Sequence, residues 1–512
     1  MDKIRSLFVA AFLALGCISV SAQGHEDLLR FSQYNYSFGT ARSASMGGAF
    51  SSLGADYSSS AINPAGLGMY RRSEISISPT ITMNKAKTLN VDDMGTFGSN
   101  ADRTRFILNN FGGAFNVYNG PGIVTSFTFG FGYSRLADFN ANTTVAGRSR
   151  TSMIDYFGSQ IARSGIIPPS NGDPIRYTGN NFGAWDGILA YNTYLLDYDN
   201  GYYPKDLFDP DNAIFSSRLN RATSGNVGQY DLAAGINFMN VFYMGFGFGI
   251  QDITYKETLR YTETPENNSA YGLSHYNYVQ HLKQDGTAWN FKFGIIARPI
   301  QDLRISLAVH TPTYISMDEY YFAEMDSYYN DYMVGQGVYD RTESLRDSYN
   351  IQTPTRFMAG LSYSINSPTI GPLGVISLDY ERVWYNKMKF YESGWTYEVM
   401  SITDDVEEYY KPANNIRVGA EAILTPNVFL RLGYAYYDSV YSYDDYQDYG
   451  KSNNYSIGLG YRTGNWSLDF AYVYMDQKDV TYQFFNDGMY KSGVYKTDNK
   501  RNNVILTASV RF

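Results

Sequence analysis

Segments of about ten residues along this chain alternate apolar with small or polar side chains, and a strand with one oily and one wet side is stable only where oil meets water. Residues 73–83 set Ile75, Ile77, Ile81 and Met83 against Glu74, Ser76, Ser78, Thr80 and Thr82. Residues 122–136 repeat the pattern, with Phe127, Phe129, Phe131 and Tyr133 against Ser126, Thr128, Gly130 and Gly132. It recurs at 105–118, 229–239, 241–255, 288–298, 302–311, 355–365, 373–385, 414–424, 427–437, 453–462, 465–475 and 503–512, which makes fourteen segments.

The connections between these segments alternate short and long, from residues 119–121 and the single residue 240 to residues 137–228 and 312–354. Short turns at one end and long loops at the other describe a transmembrane antiparallel β-barrel of the outer-membrane type, and an even strand number returns both ends to the periplasmic side. A β-propeller would instead repeat in blades of about forty residues, and no such period is present. Composition agrees: 49 Tyr against 5 Trp, with aromatic residues at 17%, suits girdles at two membrane surfaces. The mean hydropathy of −0.34 excludes a bundle of membrane helices. The net charge of −9 argues against nucleic acid as a partner. Val504, Leu506, Ala508 and Val510 alternate up to Phe512, an ending that resembles the signal read by barrel-assembly machinery.

Lys3 and Arg5 precede an apolar run and the small-residue site Val20-Ser21-Ala22, so residues 1–22 are expected to be a signal peptide that exports the chain to the outer membrane. Cys17, the one cysteine, lies inside that run behind Ala14-Leu15-Gly16, a poor lipobox, and is expected to be discarded with it. Disulfides are therefore not expected in the mature chain.

Residues 23–72 show too little alternation for a wall and are expected to form a plug, or hatch, in the lumen of a barrel built from residues 73–512. This stretch holds Gly47, Gly48 and the turn Asn63-Pro64-Ala65-Gly66. Its Gly-rich run, the following Asp56 and the Asn63-Pro64-Ala65 motif resemble the FadL/TodX-type family of outer-membrane transporters for long-chain fatty acids and other hydrophobic compounds. Val309-His310-Thr311-Pro312-Thr313, at a strand end, is similar to that family as well. The resemblance implies a fourteen-stranded barrel with an N-terminal hatch, working without cofactor, nucleotide or metal. It also implies a small hydrophobic ligand captured by external loops, held in the lumen and released sideways into membrane lipid through a gap at a kinked strand. A monomer is expected.

The residues themselves offer a place for such a kink. In 105–118, Phe106 and Leu108 keep one phase but Phe111, Phe115 and Val117 keep the other, with Asn110, Gly112 and Gly113 between. One extra residue makes a β-bulge, and a slip there, or at the adjoining Gly130 and Gly132, would open the wall. Alternation places Lys292, Arg298, Arg304, His310, Arg417 and Arg431 in the lumen, where cations could draw a carboxylate inward or simply pair with Asp379, Glu421 and Asp469. Residues 182–196 carry Trp185, Ile188 and Leu189 at helical spacing, a short helix over the barrel mouth. The acidic runs at 404–408 and 438–448 read as solvated loops without an EF-hand pattern. The four His are not spaced as a metal site, and no enzymatic constellation is expected. The rival reading is a barrel that scaffolds protein secretion or surface attachment. A general diffusion porin would need a clear lumen, which the expected hatch would deny it.

Overall fold

In the computed structural model the described residues are 25–34, 39–92, 95–204, 213–266, 272–330, 337–392, 394–442, 450–483 and 494–512. The expected signal peptide, with Cys17, and most of the acidic run at 438–448 lie outside them.

Fourteen antiparallel strands form one closed ring. They are β1 (Glu74–Asp92), β2 (Gly95–Asn119), β3 (Val124–Asp138), β4 (Phe215–Phe238), β5 (Phe242–Pro265), β6 (Leu273–Ile300), β7 (Leu303–His310), β8 (Arg356–Ser367), β9 (Gly371–Val383), β10 (Ala413–Thr425), β11 (Val428–Tyr437), β12 (Ser452–Thr463), β13 (Trp466–Gln483) and β14 (Val494–Arg511). β14 returns to β1, with Ile75 opposite Val510 and Glu74 opposite Arg511, so the ring closes on itself. The side chains follow the predicted phase. Ile75, Ile77, Ile81, Phe129 and Phe131 are exposed on the outside, while Ser76, Ser78, Thr80, Ser126 and Thr128 are buried within. No described helix is long and apolar enough to cross a membrane.

The strands are longer than the alternation suggested. β6 has 28 residues, and β4 and β5 have 24 each, so the span 256–287, read as a loop, is mostly wall. The strand Tyr314–Tyr329 continues this wall beyond β7 and pairs with both β6 and Leu345–Gln352. Pro312 and Pro354 stand at the two facing joints because a proline has no N–H for a ladder. The joint is spliced by the Thr353 N–H donating to the Thr313 carbonyl at 3.0 Å and the Thr313 N–H donating to Thr353 Oγ1 at 2.9 Å. The acidic residues at 404–408, read as loop, lie in the helix Met400–Tyr409.

Outside the membrane, two helices pack on the inner face of this wall. Met153–Ser164 starts at a Ser152 cap, closed reciprocally by Asp155, and ends at Gly165 in the left-handed region. Trp185–Asn192 is the helix expected at 182–196. Ile161, Trp185, Ile188 and Leu189 form one buried cluster with Leu259, Tyr261 and Tyr278. Two acids are sealed in with them. Burial raises Asp186, which accepts from Tyr278 at 2.5 Å, to about 7, and raises Glu263 to about 7 against the pull of its donors Ser152 and Tyr261. A carboxyl with a raised folded pKa costs nothing below its unfolded value near 4. Its cost grows as pH climbs to about 7 and is full above that, roughly 4 kcal/mol for Asp186 at about 1.4 kcal/mol per unit. Asp186→Asn is therefore expected to slow amide exchange in both helices at pH 8 and to leave it unchanged at pH 4. Equal exchange at pH 8 would show that the acid is not charged there.

Candidate functional site: a hatch, a cavity and a seam in the wall

Residues 39–70 fill the end of the ring that carries the short turns. Thr40 caps the helix Ala41–Ser45, Asn63 caps the 3₁₀ turn Pro64–Met69, and nearly every side chain between is buried. Asn63 does this with both ends of its amide, Oδ1 accepting from Ala65 N–H at 3.1 Å and Nδ2 donating to the Ser51 carbonyl at 2.7 Å. Ala65 is buried against Tyr243 and Ile296, and the Gly66 N–H closes the turn on the Asn63 carbonyl at 3.0 Å. Gly47 and Gly48 turn the chain with φ of 67° and 73°, and a β-carbon on Gly47 would meet the Tyr434 backbone.

The glycines of the wall answer to this hatch. A β-carbon on Gly112 would run into the Tyr57 ring, and one on Gly130 would meet Leu67. Gly112 and Gly130, expected to loosen the wall, thus seat hatch side chains, while a β-carbon on Gly113 would press on Phe115 within β2 itself.

Polar pairs bind hatch to wall and, beneath it, strand to strand. Ser51 donates to both Asp379 oxygens, through Oγ at 2.7 Å and N–H at 2.8 Å. Arg42 reaches Glu421, and Arg431 joins Glu421 to Asp469 at 2.6 Å each. Arg417 pairs with Glu381 at 3.2 Å, Lys292 pairs with Asp231 at 2.6 Å, and His310 Nε2 lies 2.9 Å from the Ile62 carbonyl. Arg298 sits at a short turn, donating to the Gln301 carbonyl at 2.7 Å, and Arg304 is half-buried on the next strand. None of these predicted cations lines the luminal cavity that lies above the hatch.

That cavity, about 330 Å³, has Tyr34, Phe139, Tyr385 and Met475 on its wall together with Arg30, Arg221 and Arg501. Arg30 comes from the helix His25–Ser32, which stands in the lumen with Leu28 and Phe31 fully buried and lays its guanidinium 4.3 Å over Tyr255. Arg221 pairs with Glu257 at 2.7 Å, and Arg501 donates to the Asp138 carbonyl at 3.1 Å. The cavity therefore offers aromatic surface beside cations that have partners, Arg30 being paired with Asp27, and beside the acids Asp138 and Asp438.

Beside it the wall changes. Ser78 faces Asn110 but Pro79 faces Leu108, so Asn109 is an extra residue in β2, as the phase slip predicted. Asn110, whose amide donates to Ser134 Oγ at 3.1 Å, is also the last residue of β2 in the ladder with β3. Beyond it β2 pairs with β1 alone, and the neighbouring strand Ala141–Ser149 pairs with β4 alone. Side chains cross the seam instead: Arg135 donates to the Leu108 carbonyl at 3.3 Å, Asn142 to the Asp102 carbonyl at 3.3 Å, and Arg103 to the Ala141 carbonyl at 3.4 Å. Phe106, 73% exposed, stands on the outer face of the seam, while Ala141 and Thr143 on its far side line the cavity.

No family model and no curated protein matches this chain. Solved structures do. The Pseudomonas putida toluene transporter TodX superposes with a TM-score of 0.51 at 12% identity, over 92% of this chain and 98% of its own. A Pseudomonas aeruginosa FadL homologue gives 0.50 at 13% identity, over 94% and 98%, and the CymD monoaromatic hydrocarbon channel gives 0.50 at 11%, over 94% and 99%. The chain has the fold of these barrels. At such identities the likeness is one of architecture, and it agrees with the apolar outer belt in making this an outer-membrane barrel.

Sequence reasoning missed Arg30, Arg221 and Arg501. Arg501 was within reach, because carrying the inward phase of Asn503 and Ile505 one step further places it in the lumen. Arg221 lay in a stretch read as loop, and nothing in residues 25–32 announced a helix inside a barrel.

Proposed function

We propose that this chain takes up small hydrophobic molecules across the outer membrane, receiving them at the external mouth, holding them in the 330 Å³ cavity and releasing them sideways through the seam between β2 and Ala141–Ser149. The observation that carries this reading is the coincidence of three features: a lumen closed below by the hatch, a cavity above it, and a wall beside that cavity with no ladder. A molecule in the cavity meets the packed hatch below it and, to the side, a joint held by side chains in place of a ladder. In this reading residues 1–22 are a signal peptide removed on export, 23–72 are the hatch and 73–512 the barrel, and the chain performs no chemistry.

The lining favours an amphiphile, with an apolar body against Tyr34, Phe139 and Met475 and an acidic end at Arg501, since Arg30 is taken by Asp27. Long-chain fatty acids have this form. Uptake of a long-chain carboxylate and of the alcohol of equal length should be compared in cells lacking their own transporter of this kind. Arg501→Gln is expected to lower carboxylate uptake by about tenfold, the value of one charge-assisted hydrogen bond, and to leave the alcohol unchanged. If neither molecule enters faster than in cells without the protein, the reading is wrong.

A further inference from the structure

The tall wall carries a groove on its outer side. Trp289 and Tyr314 stack at 4.7 Å on that side, level with the last of the apolar belt, since the stretch from Ile300 up to Trp289 rises about 25–30 Å in a strand tilted by about 40°. Four residues further out, Asp285 lies directly opposite Asp318, which lies opposite Ser348. Two residues beyond these comes a second row, in which Lys256 lies opposite Lys283, Lys283 opposite Tyr320, and Tyr320 opposite Arg346. Like charges directly opposite each other weaken a sheet, and this sheet has two such pairs one above the other. The repulsion is partly offset within the groove, where Lys283 pairs with Asp285 and Ser348 donates to Asp318 at 2.6 Å. Packing of the wall does not call for either row, because both point away from it and Lys256, Lys283, Asp318 and Arg346 are exposed.

The rows line two adjoining hollows of about 530 and 460 Å³ that share Asp285, Asp318 and Ser348. Trp395 closes one side of the first, held edge-on to Tyr314 at 5.3 Å and 41% exposed. Thr287 and Ser316 floor it. Carboxylates, hydroxyls and an indole face together suit a sugar, whose hydroxyls donate to carboxylates and whose C–H face rests on an aromatic ring. The row of cations beyond them suits phosphate.

We propose that this groove holds the phosphorylated sugar headgroup of an outer-leaflet glycolipid, with the acyl chains on the belt below Trp289, the sugar hydroxyls on Asp285 and Asp318, and a phosphate on Lys283 and Arg346. The order of the three layers decides between a lipid and a soluble glycan. Sugar and phosphate contacts stand directly above, and continue, a surface that already faces acyl chains.

The full-length protein, purified in detergent, should be titrated by native mass spectrometry with lipopolysaccharide of minimal sugar length, with the same lipid after phosphate removal, with phosphatidylethanolamine, and with the sugar portion freed of its acyl chains. One glycolipid per chain is expected, held at least about tenfold more tightly than the other three. Lys283→Gln with Arg346→Gln should lose that preference for phosphate, and Asp285→Asn with Asp318→Asn should weaken both glycolipids. Heat-modifiable migration in gels reports that each variant is still a barrel, and removing the exposed loop cations Arg150, Arg163 and Arg176 controls for charge alone. Equal binding of glycolipid and phosphatidylethanolamine, equal binding of the freed sugar, or variants that bind as the parent does would each overturn the proposal.

Discussion

A chain made without residues 23–72, but still exported, is expected to conduct ions across a planar bilayer where the intact chain shows no steps. The wall left behind would keep its closed ladder from β1 to β14, while its inner face would be water-filled and strongly charged. Glu381, Glu421, Asp231, Asp379 and Asp469 face inward on it, with Arg417, Arg431 and Lys292 beside them. Without the hatch Asp379 would lose its donor Ser51 and Glu421 its partner Arg42, and a buried charge stripped of a partner is costly unless water reaches it, so a hydrated lumen is the less costly outcome. Gly112→Val should approach the same result from the wall side, by driving the Tyr57 ring out of its seat. A truncated chain that folds, judged by its heat-modifiable migration, and still passes no current would show that the hatch is not what closes this barrel.

The second large effect concerns the seam. Asn142 already donates to the Asp102 carbonyl across it, so a pair of cysteines at Asp102 and Asn142 would lie within reach of each other. The sequence has one cysteine, Cys17, in the expected signal peptide, so the new pair would meet no competitor in the mature chain. If the exit is lateral, oxidation should abolish uptake and a reductant should restore it. The same pair of cysteines placed across a laddered joint, at the outward-facing Leu432 and Ile457 for example, should change nothing of that kind. Full uptake in the oxidised state would move the exit elsewhere, with the hatch as the remaining way through.

How far the sequence disclosed this architecture depended on where lipid lies. Within the bilayer each strand must show apolar side chains outward, so the phase of Ile75-Ile77 or Phe129-Phe131 could be read off directly, and even the misplaced phase at Asn109 was visible. Above the bilayer both faces of the same strands are wet or packed on helices. The outward row of β6 becomes His275, Asn277, His281, Lys283 and Asp285, and the period that announced Trp289, Phe291 and Phe293 fades although the strand does not stop. The tall wall, the helix Met153–Ser164 and the cavity cation Arg221 were lost for that one reason. Inside the ring the difficulty was different. Alternation places Arg417, Arg431 and His310 inward correctly, but pairing decides what an inward cation does, and their partners come from other strands or from the hatch.

One hydroxyl links the hatch to the closure of the ring. Thr507 on β14 takes the Ala41 N–H at 2.7 Å and stands 2.8 Å from Ser78 Oγ on β1, so the first strand, the last strand and the hatch meet at a single side chain. Closure of the ring and seating of the hatch are therefore coupled: taking away the Thr507 hydroxyl should loosen the hatch and the joint between first and last strands together.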